Sequence, residues 1–392
     1  MLALSALLLA NSQTTQAAPA DDWEKFNDWN IGNLLFPSLH FHGVGGFSTG
    51  DTEELASGGH DPKRDPFSVQ ALEPGLSVRT KYFEAFSNYL FYQDATGDWD
   101  GELEEAFGKI TNIPGGFEIK GGRYLTHFGA LNDKHLHAWD FVDAEIANTR
   151  MLGEDGLLLE GAEVSWTLPL GLDPEWVSVA SLGYGNAPAH DHEEEHAHGD
   201  EEIPHEADGA FVADDVVTAR LMARNRINDF HSVTAGTSWA GGTNGFGRDT
   251  NVFGVDVEYQ WRENGLEKGG RAFRWRTEYL WRDVDAFSEH DDGGTIETFV
   301  GNYDEDGIHT HAIMTWCQHF DSGLRVAWIG GIDDFGQAER FRVSPSLTWW
   351  LDDARRVGLR TQYNFDSVAG EDDEQSLWFQ VNIALGSNEE VR

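Results

Sequence analysis

The stretch RFRVSPSLTWWL, residues 340–351, alternates apolar and polar side chains from Arg340 to Trp349. The odd-numbered positions hold Phe341, Val343, Leu347 and Trp349, whereas the even-numbered positions up to residue 348 hold arginine, serine and threonine. We call the set of positions on one side of this alternation a parity. Because successive side chains of a β-strand point to opposite faces, this pattern predicts a strand with one apolar face and one polar face.

The same alternation recurs in the stretches 252–262, 272–282, 356–366 and 376–385. A soluble β-sandwich would also alternate, because its outer face meets water. These runs extend over roughly 10 to 14 residues, however, whereas strands of globular proteins average about 5–6. Aromatic residues also gather near the run ends, as they do where membrane strands meet the lipid interface. Together these features favour a transmembrane barrel.

Counted along the whole chain, the pattern gives about sixteen strands, an even number as bacterial barrels require. The predicted fold class is therefore all-β: one transmembrane, antiparallel, up-and-down β-barrel spanning residues 39–385. Every second connection is short, and the intervening ones include long acidic stretches. Short periplasmic turns that alternate with long outer loops are typical of outer-membrane barrels. The predicted short turns are 79–81, 112–115, 225–228, 320–322 and 352–354, and the predicted outer loops are 49–66, 126–155, 187–209 and 284–306.

The N-terminus indicates export. Leu2–Ala10 forms an apolar run, and small residues with cleavage points after Ala17 or Ala20 follow it, which predicts a signal peptide over residues 1–20. Residues 21–38 would then form a short periplasmic segment, and 386–392 a C-terminal tail. No stretch of 18 or more apolar residues follows, so no membrane helix is expected. The predicted location is the bacterial outer membrane.

Charge excludes some functions. The chain carries 68 acidic and 27 basic residues, a formal charge of −41, which argues against nucleic acid as a partner. Its single cysteine, Cys317, excludes intrachain disulfides and a cysteine zinc finger. No hydrolase or phosphate-binding motif is present, so we do not expect an enzyme.

A histidine-rich acidic run occupies residues 190–206 (HDHEEEHAHGDEEIPHE), with five histidines and eight carboxylates. Such a segment cannot bury apolar surface, so it should be a solvated loop with many metal ligands. We expect loose, rapidly exchanging binding of Zn²⁺ or another divalent cation and no tightly bound cofactor; the alternative is an acidic loop that only repels like-charged surfaces. The candidate ligands are His190, His192, His196, His198 and His205.

A second histidine cluster lies in residues 122–143 (GRYLTHFGALNDKHLHAWDFVD). The apolar content of this segment predicts that the third outer loop, 126–155, folds into the lumen. His127, His135 and His137 with Asp140 could form an open metal site of nitrogen and oxygen ligands. The alternative is that these side chains only pin the loop to the barrel wall. A further pair on one strand face, His40 and His42, is more typical of a water-wetted lumen than of a ligand set.

This segment resembles the Gram-negative zinc-regulated, TonB-dependent outer-membrane receptors, which look like plugless, porin-like barrels. The resemblance is carried by Gly122-Arg123-Tyr124, Gly129, Leu131-Asn132, His135, His137 and the run Trp139 to Asp143. The family's tyrosine before Leu131 is Ala130 here. The resemblance implies passive uptake of small solutes with a part in zinc acquisition. Because residues 21–38 leave no room for a plug domain, TonB coupling is not expected; outer-membrane lipid and divalent cations are the expected partners, and a homotrimer is compatible with the fold.

Many of the polar residues that alternate along the strands are arginines. They predict a positively charged lumen wall that faces acidic residues of the third loop across the pore. A general, anion or nutrient porin with acidic mouth loops is therefore one alternative function, and a surface metal-binding protein anchored by its barrel is another. The predicted pore-lining residues are Arg123, Arg274, Arg276, Arg282, Arg325, Arg340, Arg342 and Arg360.

Overall fold

The computed structural model describes residues 29–65, 67–170, 175–188, 208–267, 269–291, 296–332 and 337–386. Within these residues the chain forms sixteen antiparallel strands and two short helices. The strands are β1 (Leu35–Ser48), β2 (Phe67–Arg79), β3 (Phe83–Gln93), β4 (Trp99–Ile113), β5 (Phe117–Leu125), β6 (Leu158–Thr167), β7 (Trp176–Asn186), β8 (Val212–Asn228), β9 (His231–Asn244), β10 (Asp249–Arg262), β11 (Ala272–Asp291), β12 (Ile296–Cys317), β13 (Phe320–Ile329), β14 (Arg340–Trp350), β15 (Val357–Val368) and β16 (Glu374–Gly386), and the helices are α1 (Thr52–Leu55) and α2 (Ile146–Leu152).

The strands pair in sequence order, and β1 also pairs with β16, so the sheet closes into a barrel without a free edge. Closure satisfies every strand's backbone groups within the sheet, which a lipid environment requires. The predicted all-β, up-and-down barrel of sixteen strands is confirmed.

The faces of the barrel are inverted relative to a soluble protein. In β14, the side chains of Arg342 and Ser344 are buried, whereas Leu347 and Trp349 are 51% and 59% exposed. The same inversion holds around the sheet, because the polar parity turns inward and the apolar parity turns outward. Exposed aromatic residues lie near strand ends, where a membrane interface would meet them: Phe67, Phe83, Trp99, Phe117, Trp166, Trp176, Trp316, Phe320 and Trp349.

The hairpin β11–β12 corrects the predicted outer loop 284–306. Strand β11 continues to Asp291 and β12 begins at Ile296, with ladder pairs such as Val284–Tyr303. Acidic and polar residues interrupt the apolar alternation in this stretch, although backbone pairing continues. Alternation therefore detected only 270–283 and 307–319 as strand.

Two predicted turns are also displaced. Residues 320–322 belong to β13, and the turn occupies 318–319; residues 225–228 end β8, and the turn is 229–230. Polar residues continue into these strand ends, so composition alone marks the turn a few residues early or late.

The first strand begins at Leu35 rather than at Leu39. The signal peptide over 1–20, residues 21–28 of the periplasmic segment and the tail beyond Gly386 lie outside the described residues. Among the described residues, no helix is both long and apolar enough to cross a membrane.

Candidate functional site

Residues 126–155, here called the third loop, leave β5 and lie against the polar inner face of strands on opposite sides of the barrel. The Gly129 amide donates to Ser238 Oγ of β9 at 3.0 Å. The Val142 amide donates to Gln362 Oε1 of β15 at 2.7 Å, and its carbonyl accepts from Gln70 of β2 at 2.6 Å. In the strand order β9 lies across the barrel from β2 and β15. The loop therefore contacts both sides of the inner face.

The second half of the third loop, which contains helix α2, packs against the barrel wall through apolar side chains. Helix α2 is capped by Glu145, whose side chain accepts from the amides of Ala147 and Asn148, and it ends at Gly153. Its buried side chains form one cluster with loop and inner-wall residues. The cluster contains Phe86, Phe107, Tyr124, Phe128, Ile146, Met151, Leu152, Leu159 and Leu280. Burial of this apolar surface favours the docked loop.

Asp143 is the main polar anchor of the loop. Its carboxylate accepts from Arg325 at 2.5 Å, Arg342 at 2.9 Å, Gln362 at 2.6 Å and Asn364 at 2.7 Å. Burial alone would raise the pKa of this carboxyl, but the two guanidinium groups and the hydrogen bonds outweigh it and lower the pKa to about 2. Asp143 is thus ionised and fixed to three neighbouring strands.

The arginines of β11 to β15 bind loop backbone as well as carboxylates. Arg360 donates to the carbonyls of Trp139 and Phe141, both at 2.9 Å. Arg282 donates to the Arg150 carbonyl at 2.8 Å. These predicted pore-lining arginines do lie on the inner face, but they hold the loop and do not confront it across open water. We predicted that the arginine wall and the acidic residues of the third loop would face each other across the pore. The structure instead brings them into direct contact.

Asp140 joins the same wall. It pairs with Arg274 and lies 3.6 Å from His311. Although burial opposes ionisation, Arg274 and His311 lower the pKa of the Asp140 carboxyl to about 2. Asp140 is therefore a partner of arginine and not a ligand beside the loop histidines.

Arg123 is wrongly predicted as pore-lining. It shares the outward parity of Phe117 and Ile119 in β5, and it pairs at 3.3 Å with Glu160, which is largely exposed. The parity of this strand already contained the answer, because its aromatic and aliphatic residues mark the outward face.

The loop histidines do not converge on one site. His127 Nδ1 lies 2.8 Å from Glu163, and His137 Nδ1 lies 2.6 Å from Glu73. The predicted set of His127, His135, His137 and Asp140 is therefore not assembled, because each member meets a different partner on the wall.

His135 is enclosed, with its Nδ1 2.9 Å from Glu104 and its Nε2 2.8 Å from Glu105. These contacts, like those of His127 and His137, support the alternative interpretation in which the histidines pin the loop to the wall.

Wall carboxylates are the residues that sequence reasoning missed. All three are buried, and each carboxylate contacts a histidine of the third loop: Glu73, Glu105 and Glu163. Parity could have revealed Glu163, which has the opposite parity to the outward Val164 and Trp166. It could also have revealed Glu73, which has the opposite parity to the outward Leu76, because the β-bulge that skips Gln70 lies before this part of β2.

The outer end of the third loop is tied to the first loop, residues 49–66. His60 Nε2 lies 2.9 Å from Glu102 and 3.3 Å from Asp155. Burial would lower the pKa of His60, but Asp155 and Glu102 raise it to about 9. The Asp61 carboxylate also accepts from the Ala144 amide at 2.7 Å. The histidine-rich run, with His190, His192, His196, His198 and His205, lies outside the described residues.

Comparison with known proteins identifies the fold. No family model matches the chain. An uncharacterized protein of Aquifex aeolicus (strain VF5) is 29% identical over 143 residues, which cover 36% of this chain and 27% of that protein. The match thus spans about a quarter of the relative's length.

Three solved structures are similar over nearly their whole length. The anion-selective porin from Comamonas acidovorans has a TM-score of 0.55 at 11% identity, covering 89% of this chain and 99% of the porin. The outer membrane channel DcaP of Acinetobacter baumannii has a TM-score of 0.52 at 11% identity and coverages of 91% and 99%. The trimer form of OmpT, an outer membrane protein of Vibrio cholerae, has a TM-score of 0.52 at 11% identity and coverages of 89% and 98%. The chain therefore has the porin-like fold of outer-membrane barrel proteins.

Proposed function

We propose that the protein is a passive channel of the outer membrane through which small hydrophilic solutes diffuse, Zn²⁺ among them. The observation that carries the proposal is the set of contacts between the third loop and the polar face of strands on opposite sides of the barrel. The outward apolar face supports insertion in a bilayer. The zinc part is supported by the histidine-rich segments and the family resemblance of residues 122–143. A trimer, the form of one similar structure, belongs to the same proposal.

A small cavity beside the third loop offers polar contacts to a solute. Its volume is about 90 Å³. Its lining combines aromatic rings of Trp139 and Phe141 with the polar groups of Asn148, Arg276 and His311. Side chains of both signs and an amide can replace part of the hydration of a passing ion or small molecule.

Ion selectivity in planar bilayers tests the proposal. Because Asp143 and Asp140 neutralise much of the arginine wall, whereas Glu73 and Glu163 face it from β2 and β6, we expect conducting pores with a preference for cations. Zn²⁺ added to one side should shift the reversal potential measured in a KCl gradient. Membranes that stay non-conducting with correctly folded protein would contradict the channel itself.

An anion or nutrient porin is the second candidate, because the inner wall of β11 to β15 does carry the predicted arginines. It predicts an anion-selective reversal potential that Zn²⁺ leaves unchanged. That result would replace our first proposal.

Acid should release the third loop. The pKa values of Asp140 and Asp143 are about 2, below the ordinary 3.8. A depressed carboxyl pKa stabilises the docked loop above about pH 4, and this stabilisation is lost as pH falls toward 2. We expect steady single-channel currents at pH 5 to become larger and fluctuating between pH 4 and 2. Currents that keep one steady level throughout would contradict this assignment.

A further inference from the structure

Two imidazoles and a carboxylate meet where the third loop touches β1 and β2. His137 Nδ1 lies 2.6 Å from Glu73 Oε2, and His40 Nδ1 lies 3.7 Å from the same oxygen. One potential ligand atom from each residue lies within 4.8 Å of the other two. The rings of His40 and His137 are stacked, with centroids 3.9 Å apart. Three separate parts of the chain thus converge on one oxygen.

Two buried polar atoms at this place lack a hydrogen-bond partner among the described residues. Glu73 is 2% exposed, and its Oε1 accepts no hydrogen bond. His42, on the same face of β1 as His40, leaves its Nε2 unpartnered in the same way. Because a buried polar atom without a partner costs free energy, such atoms indicate a missing ligand or water.

His42 has the tautomer that a metal ligand needs. Its Nδ1 is 2.7 Å from the side-chain oxygen of Asn382, which can only accept a hydrogen bond. The proton therefore sits on Nδ1 and the Nε2 lone pair is free, the arrangement by which second partners orient metal-binding histidines. His42 lies on the same strand face as His40 but outside the three residues whose ligand atoms converge.

We propose that His40, Glu73 and His137 bind a divalent metal ion of the zinc class. The inference rests on the proposed function only in assigning the site to a passing ion. Zn²⁺ takes tetrahedral nitrogen and oxygen ligands at about 2.0–2.2 Å, which places ligand atoms roughly 3.3 Å apart. The observed separations of 2.6 and 3.7 Å bracket that value. An ion would replace the proton shared between His137 and Glu73.

Coordination requires one adjustment. Each metal–nitrogen bond lies in the plane of its ring, so the stacked rings, now 29° from parallel, must tilt further apart. His137 can supply the tilt, because it belongs to the loop and its side chain is 17% exposed. The ion would therefore fasten the third loop to β1 and β2, on the same side of the barrel as its anchor at Asp143.

The neighbouring histidines fit a metal less well. Both nitrogens of His135 already contact Glu104 and Glu105. Glu163, the partner of His127, also receives the Lys120 ammonium at 3.4 Å, and this cation repels a metal ion. The second convergent group, His60 with Glu102 and Asp155, offers only one imidazole.

Zinc competition against a chromophoric chelator tests the site. The background protein is the full chain with His190, His192, His196, His198 and His205 all changed to Asn, which removes the loose ligands. We expect one Zn²⁺ per chain at pH 7.5, and an affinity at least about 10-fold lower in Glu73→Gln, since even partners of ligands contribute 10- to 100-fold. Affinity should also fall toward pH 5.5, because protons compete for imidazole.

Matched variants decide the outcome. Glu163→Gln makes the same change at another buried wall carboxylate that pairs with a loop histidine, and zinc affinity should be unchanged. His137→Asn alters only the loop and should weaken binding as Glu73→Gln does, which separates loss of a ligand from misfolding of the wall. Equal affinity in Glu73→Gln and the background, or loss of binding in His60→Asn alone, would overturn the site. Bilayer conductance of the background protein is measured separately from its zinc affinity, so failure of the channel and failure of the site are distinguishable.

Discussion

Replacing Asp143 by alanine is expected to free the third loop from the wall and to turn steady single-channel currents at pH 7 into larger, fluctuating ones. Asp143 is 5% exposed and accepts four side-chain hydrogen bonds from β13, β14 and β15. Removing one partner of a buried ion pair typically costs about 3–5 kcal/mol, because the remaining charge stays buried without compensation. Most of this free energy comes from Arg325, which loses its carboxylate partner. Arg342 still donates to the Asp366 carboxylate at 2.7 Å.

The matched control is Asp133→Ala in the same loop. Asp133 is partly exposed and pairs at 2.9 Å with its neighbour Lys134, and such surface pairs contribute about 0–1 kcal/mol. Its currents should equal those of the wild type. If Asp143→Ala keeps wild-type conductance and an unchanged free energy of unfolding, the carboxylate does not anchor the loop. Acid should change the currents of Asp143→Ala less than those of the wild type, since only Asp140 of the two titrating carboxyls remains.

The fold was predictable because the strands of a membrane barrel alternate apolar side chains that face lipid with polar side chains that face the lumen. In β14 the residues from Phe341 to Trp349 report the lipid face and the lumen face by parity alone. The prediction failed where that rule stops applying. Strands β11 and β12 stay paired out to Asp291 and Ile296, but acidic and polar residues interrupt the alternation there, so the hairpin looked like a loop.

The candidate site was predictable only in part. The sequence showed that the third loop carries histidines and that the wall carries arginines, but it could not show which partner each would meet. Contacts such as His137 with Glu73, and Asp143 with Arg325, join residues 64 and 182 positions apart. They depend on the register of the whole barrel and on a bulge in β2. The proposed metal ligands are therefore one loop residue and two wall residues, whereas the sequence suggested neighbours along the loop.

Gly129→Ala is expected to unseat the start of the third loop. Gly129 has φ +61°, and an added Cβ would lie 1.7 Å from Glu278 Oε1 and 2.7 Å from its Cδ. Glu278 is 1% exposed and accepts from the Ala130 amide at 3.3 Å. The carboxylate cannot swing into water, so either its contact with Ala130 or the contact of Gly129 with Ser238 must break.

Gly247→Ala separates this clash from backbone strain. Gly247 has nearly the same φ, +65°, but a Cβ there would meet nothing within 4 Å. Both variants carry the cost of a left-handed residue, roughly 1–2 kcal/mol. Gly129→Ala adds overpacking of about 1–3 kcal/mol, so its free energy of unfolding in lipid vesicles should fall by that further amount, and its single-channel currents alone should fluctuate. If the two variants unfold alike and conduct alike, Gly129 is needed only for its dihedral angle, and the loop does not press on Glu278 as the structure places it.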